Sequence, residues 1–277
     1  MKLPAMSNRP TKLSRVRRSW MCGVVISGRC MYPQFFLYVM VHFTDFFQFS
    51  GSGSDYTAFQ DFAGVASVDF GYGRGPKDAV YQYHSNYDSF DWMDRFGDPG
   101  WLYHVTSTKL WALAAAKIVE TPVLAFSAHD YATGLGEYLN HIKPQAAKLP
   151  GEFDFSTLEG AIEQLKVVAS RFDARAAVVN ALLTKDLPWY LWWKKAELLL
   201  QARRVNLKYK GLERQFLYEP GLDGRSWFKH VVFAPGLWTG YAGATYPGLV
   251  ESFDAGDKAN AEVCFKSSVM PRRCIYS

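Results

Sequence analysis

His84 stands in the stretch YQYHSNYDSF, residues 81–90, among tyrosines, small polar residues and aspartate. A loop imidazole can bind a metal, shuttle a proton or face solvent. Metal catalysis asks for more than one: a catalytic zinc takes about three protein ligands, and a two-metal centre shares roughly five or six. The partners must come from elsewhere in the chain. His42, His104, His129, His141 and His230 are scattered. The last four have helix or strand contexts and read as structural or exposed, not as replacement ligands.

A chain of 277 residues, 49% hydrophobic and 16% aromatic, is globular, with material for one large or two small domains. Its formal charge of +5 is concentrated in residues 1–50, where Lys2, Arg9, Lys12, Arg15, Arg17, Arg18 and Arg29 face only Asp45. The remainder is close to neutral, so a nucleic-acid partner is not expected. Cys22, Cys30, Cys264 and Cys274 all lie in the tails, which excludes a disulfide framework or a Cys-rich zinc module in the body. The apolar part of the basic N-terminal segment is cut by Arg29, Pro33 and Asp45. Its longest charge-free run, residues 30–44, falls short of the roughly 20 residues that span a bilayer. No small-residue cleavage site follows a compact apolar core, as a signal peptide would need.

The elements that must position His84 begin with GSGSDYTAF, 51–59, a loop feeding a helix that contains Tyr56, Phe59 and Phe62. GVASVDFGYG, 64–73, alternates as a short buried strand and ends in glycines, which places His84 in a loop after a strand. A helix is predicted from just after Pro99 to about Glu120, with Leu102, Val105, Leu110, Leu113 and Ile118 on its apolar face and Pro122 as its stop. A second helix covers His129 to Ile142, followed by a linker, KPQAAKLPGEFD. The stretch 154–184 opens on a capping-box pattern, Ser156 with Glu159, and carries the stripe Leu158, Ile162, Leu165, Val168, Ala169 and Phe172. A further long helix over 189–217 forms an antiparallel pair with it, its aromatic start at Trp189, Tyr190, Trp192 and Trp193 read as a hydrophobic anchor. Then come a strand, an aromatic glycine- and proline-rich loop, and an interrupted helical ending at Pro271.

Four of these stretches, GSGSDYTAF, YHSNYDSFDWMDRFGDPGWLYH, DYATGLGEYL and FKHVVFAPGLWTGYAGATYPG, resemble in order and spacing the C-terminal part of the glutamate carboxypeptidase and transferrin receptor family of co-catalytic zinc peptidases, in wording closest to fungal members. The resemblance covers about residues 51–263. It implies an α/β remnant of a zinc exopeptidase domain over 51–150. After it comes an all-α helical-bundle dimerisation domain over 151–263, including a return loop at 226–253. Residues 1–50 and 264–277 are unmatched. His84 then corresponds to the family's last zinc ligand and Tyr83 to the tyrosine that steadies a tetrahedral oxyanion by hydrogen bonding. Ser52, Gly53 and Ser54 correspond to a loop bordering the substrate pocket, and Tyr241 to a tyrosine gripping the substrate carboxylate. The family implies two zinc ions, a peptide substrate, a homodimer formed through the helical domain, and typically a membrane-anchored protein with a lumenal, vacuolar or extracellular peptidase domain.

Departures from that pattern set further expectations. Ser54 replaces an amide residue, Gly240 a lysine, and Asp69 and Gly71 a pair of arginines found in the glutamate-specific member, which removes the cations expected to read a glutamate side chain. The remaining zinc ligands and the glutamate general base belong well before the GSGSDY loop. The 50 residues preceding it here contain His42, Asp45 and no glutamate. The expectation is a C-terminal portion of a zinc carboxypeptidase, inactive alone, poorly soluble, and with both tails from a truncated or misassembled reading frame. The alternative is a non-enzymatic, transferrin receptor-like assembly module.

Overall fold

The computed structural model describes residues 36–41, 53–73, 79–185, 187–238, 240 and 243–269. Most of the N-terminal segment, Ser52, Tyr241 and the end of the tail lie outside them. Strand β1 (Phe36–Val41) pairs antiparallel with β2 (Val68–Gly73), Phe36 opposite Gly73 and Val41 opposite Val68. The predicted strand loses its first four residues to a turn. Ala58–Phe62 forms a single π-helical turn, Gly64 leaves it with φ +60°, and the Val65 amide bonds back to the Phe59 carbonyl at 2.8 Å.

Of the expected α/β remnant over 51–150, the described residues carry one antiparallel ribbon and helices: β2 pairs with β1, and the next strand follows only after the long helices. The described chain is mostly helical. Helices α1 (Phe90–Trp92) and α2 (Leu102–Glu120) flank a π-helical turn at Met93–Gly97. Helix α2 starts and stops where its prolines predict, yet none of its residues is buried.

Helix α3 (Ala128–Ile142) runs into a 3-10 turn, Lys143–Lys148, where a linker was expected. Ala146 and Leu149 go into the core there, so the segment is packed. Helix α4 (Ser156–Leu183) keeps the predicted span, but Ser156 and Glu159 form no capping box. Asp154, two residues earlier, accepts both the Ser156 amide and its hydroxyl at 2.8 Å, while Glu159 pairs with Lys143. Asp154 thus takes the Ser156 amide that the Glu159 side chain would accept in a capping box, and the Glu159 amide bonds to the Phe155 carbonyl at 3.0 Å. Helix α5 (Trp192–Leu212) lies between 3-10 turns at Trp189–Leu191 and Glu213–Phe216. A second antiparallel ribbon, β3 (Phe233–Pro235) with β4 (Gly243–Thr245), precedes α6 (Pro247–Ala255) and α7 (Lys258–Ser268).

Two cores result. The larger packs α3, the first half of α4, α6 and α7 around Leu139, Ile142, Leu158, Tyr246, Leu249 and Phe253. The predicted stripe of α4 supplies Leu158, Ile162 and Leu165 to it and Ala169 to the smaller core, where small residues let the second half of α4 approach α5 at Ala176, Ala202 and Val205. Backbone groups between α2 and α3 are satisfied from far away. The Asn206 side chain accepts from the Leu124 amide and donates to the Pro122 carbonyl, both at 2.9 Å.

Candidate functional site

The sequence around His84 folds as a series of exposed turns. The Tyr81 hydroxyl donates to Asp88 Oδ2 at 2.8 Å and its ring lies 5.5 Å from Trp92. Ser85 closes the next turn, donating to the Gln82 carbonyl at 2.7 Å and accepting from the Tyr87 amide at 3.2 Å. Ser89 caps α1 by accepting from the Trp92 amide. Held between these turns, His84 takes φ +58°, a left-handed conformation that costs a non-glycine residue about 1–2 kcal/mol. Tyr83 stacks on it, ring centroids 3.9 Å apart and planes 18° from parallel. The structure thus brings the predicted ligand and the predicted oxyanion donor together, face to face and on the surface.

Gly53 and Ser54 form a separate turn. Gly53 has φ +89°, and the Ser54 carbonyl accepts from both the amide and the hydroxyl of Thr57. Asp69 lies on β2 opposite Met40. Zinc does not fit the residues described: no group of three or more His, Cys, Asp and Glu side chains converges among them.

Nor do the other histidines among the described residues gather; His42 lies outside them. His104 pairs with Asp98, His129 Nδ1 lies 3.2 Å from the Lys166 carbonyl, His141 is exposed and His230 is buried. No described helix is long and apolar enough to cross a membrane.

A feature that the sequence reading missed anchors the next element. Asp98, almost fully buried, accepts from the Tyr103 amide at 3.2 Å, the His104 amide at 3.0 Å and His104 Nδ1 at 2.7 Å. Burial raises its pKa, but these hydrogen bonds outweigh burial and hold the carboxyl below its usual range. The Asp-Pro pair just before an apolar helix was the available signal. Because the folded value is depressed, Asp98 stabilises α2 above pH about 4, and that contribution disappears as pH falls through its folded value. Asp98→Ala is expected to cost about 1–2 kcal/mol and to fray the first turn of α2, read by far-UV circular dichroism and urea unfolding.

Residues 153–266 match the family described as the transferrin receptor-like dimerisation domain. By its likeness to relatives that match about three quarters of it, the chain belongs to the glutamate carboxypeptidase-like family. It is 37% identical over 218 residues to a "Probable glutamate carboxypeptidase" of Arthroderma benhamiae, covering 76% of this chain and 27% of that protein. A second protein so named, from Arabidopsis thaliana, is 28% identical over 78% of this chain and 28% of its own length. An "Inactive zinc metalloprotease" of Schizosaccharomyces pombe is 26% identical over 79% of this chain and 27% of its own. The chain spans little more than a quarter of the length of these relatives.

Proposed function

We propose that this chain is the C-terminal portion of a zinc-dependent carboxypeptidase and carries the domain through which two copies pair, without peptidase activity of its own. The observation that carries the reading is the order of its parts: a strained, exposed Tyr83–His84 turn stands upstream of a dimerisation domain at 153–266. Within the intact enzyme His84 serves as a zinc ligand and Tyr83 as a hydrogen-bond donor to an oxyanion. Gly53, Ser52 and Ser54 border the substrate, and Tyr241 grips its carboxylate. Glutamate itself is a poor substrate candidate, because Asp69 and Gly71 place no cation at their positions. A membrane-anchored protein with a lumenal, vacuolar or extracellular peptidase half goes with this reading.

A non-enzymatic assembly module is the second reading, favoured by the lack of a converging metal-ligand group among the described residues. Exposed apolar side chains on the α4–α5 hairpin support pairing in either case. The aromatic start of α5 was expected to anchor the bundle, yet Trp189 is 87% exposed and Trp192 69%. Such a surface, with Leu199 and Leu200 beside it, favours association.

Metal analysis of the purified chain after dialysis is expected to find zinc well below stoichiometric, with dimer or larger species by sedimentation. Close to two zinc ions per chain together with hydrolysis of a C-terminal peptide bond would refute the claim that the chain is inactive alone. A strictly monomeric species at micromolar concentration would refute both readings.

A further inference from the structure

The turn Ala58–Phe62 meets the helical core at a seam of ionisable side chains sealed from solvent. Gln60, Asp61 and His230 are fully buried and Glu213 nearly so. The turn is stitched to the core through its backbone, the Asp61 carbonyl accepting from the amides of Lys229 at 2.9 Å and His230 at 3.0 Å. The Asp61 side chain, by contrast, has no hydrogen bond at either carboxyl oxygen, and Gln60 Oε1 has none either.

The surroundings decide which form of Asp61 the seam tolerates. His230 Nδ1 accepts from the amides of Val232 and Phe233, so the ring proton sits on Nε2, 3.1 Å from Glu213 Oε1 though too bent for a hydrogen bond. Gln60 Nε2 reaches the same Glu213 oxygen at 3.5 Å. Glu213 therefore has Gln60, His230 and the Tyr131 hydroxyl turned toward it, whereas neither Asp61 oxygen is hydrogen-bonded. Arg225 is the cation whose field reaches Asp61; its terminal nitrogens are taken by the Pro235 carbonyl and Glu251, and its buried Nε makes no hydrogen bond, to Asp61 or to any other group. Lys229 turns outward to Glu219 and the Phe62 ring. From α3, Tyr131 faces Glu213, and burial first, then Glu213, keeps its hydroxyl protonated. An ionised Asp61 would thus be a second buried anion beside Glu213, hydrogen-bonded at neither oxygen and offset only by the field of Arg225.

We propose that Asp61 is a proton-operated latch: while its carboxyl carries a proton the turn stays seated on the helical core, and when that proton leaves the seat weakens. The latch lies a few residues after the turn formed by Gly53 and Ser54. It rests on the seam alone and holds whether or not the chain belongs to an active enzyme.

Burial foremost, then the charge of Glu213, pushes the Asp61 carboxyl from 3.8 to about 8, with Arg225 pulling the other way. A carboxyl raised on folding contributes its stability fully below the unfolded value of 3.8 and loses it as pH rises through about 8. Physiological pH falls inside that window.

The test is hydrogen exchange of the full chain between pH 6 and 8.5, with rates divided by the intrinsic rate at each pH. The amides of Lys229 and His230, which bond to the Asp61 carbonyl, are expected to open roughly tenfold to a hundredfold more at the upper pH, while those of the α4 core do not change. Asp61→Asn should abolish the pH dependence and retain protection at pH 8.5. PH-independent opening in the native chain would overturn the latch, and needs no variant to fold. An unchanged slope in Asp61→Asn would also overturn it, as would a slope lost only in Glu213→Gln, since either assigns the proton to another group.

Discussion

Truncating Phe253 to alanine is expected to cost about 3–5 kcal/mol, the range for removing a buried aromatic ring from a core that cannot collapse around the void. Phe253 is fully buried on α6, where it meets Phe153 and Phe155 edge to face at centroid distances of 5.6 and 6.2 Å. Phe265 from α7 meets the same two rings. This herringbone ties the start of α4 to α6 and α7, and edge-to-face pairs contribute beyond their buried area. Against a domain stability of about 5–15 kcal/mol, the loss is enough to leave a substantial unfolded population. Chemical denaturation followed by circular dichroism measures it. A cost below about 1 kcal/mol would mean that α6 and α7 do not seal this core.

The second large effect is expected at Asp173, in the middle of α4. Its carboxylate accepts from the amides of Ala128 and His129, at 3.1 and 2.9 Å, and from the Ser127 hydroxyl at 3.2 Å, so it caps the start of α3 from a neighbouring helix. The Tyr209 hydroxyl of α5 donates to it at 2.8 Å. Burial first and Asp173 second keep that phenol protonated well above the usual tyrosine range. One side chain therefore joins three helices. Asp173→Ala leaves several donors without their acceptor and should cost about 2–3 kcal/mol, the larger part from unsatisfied partly buried groups. Asp173→Asn keeps the shape and one acceptor oxygen and should lose roughly half as much. Equal losses in the two variants would assign the effect to packing instead of hydrogen bonding.

The local structure around the candidate site was legible where its signal was local. The Tyr83–His84 pair, the glycine loop at 53 and the start of α2 after Pro99 all follow from residues a few positions apart, and the structure places turns and helix starts there. The capping box at Ser156 failed for an equally local reason, because a carboxylate two residues upstream competes better for the same amide. What could not be read was the company that each segment keeps. The exposed face of α2 and the exposed tryptophans of α5 follow apolar patterns that, by themselves, predict burial.

By itself, the sequence determined the helices from α2 to α5, since periodicity and proline stops act within one or two turns, and it determined kinship with the glutamate carboxypeptidase-like proteins through motifs in a fixed order. Tertiary structure alone decided that Asp173 would cap α3 across 45 residues of chain and that Asn206 would bind the α2–α3 connection across 82. It alone set Gln60 beside Glu213 across 153 residues and sealed Asp61 next to them. The physical reason is that a buried polar group is governed by whatever donors the packed chain brings within about 3 Å, and no pattern of near neighbours encodes which distant segment supplies them.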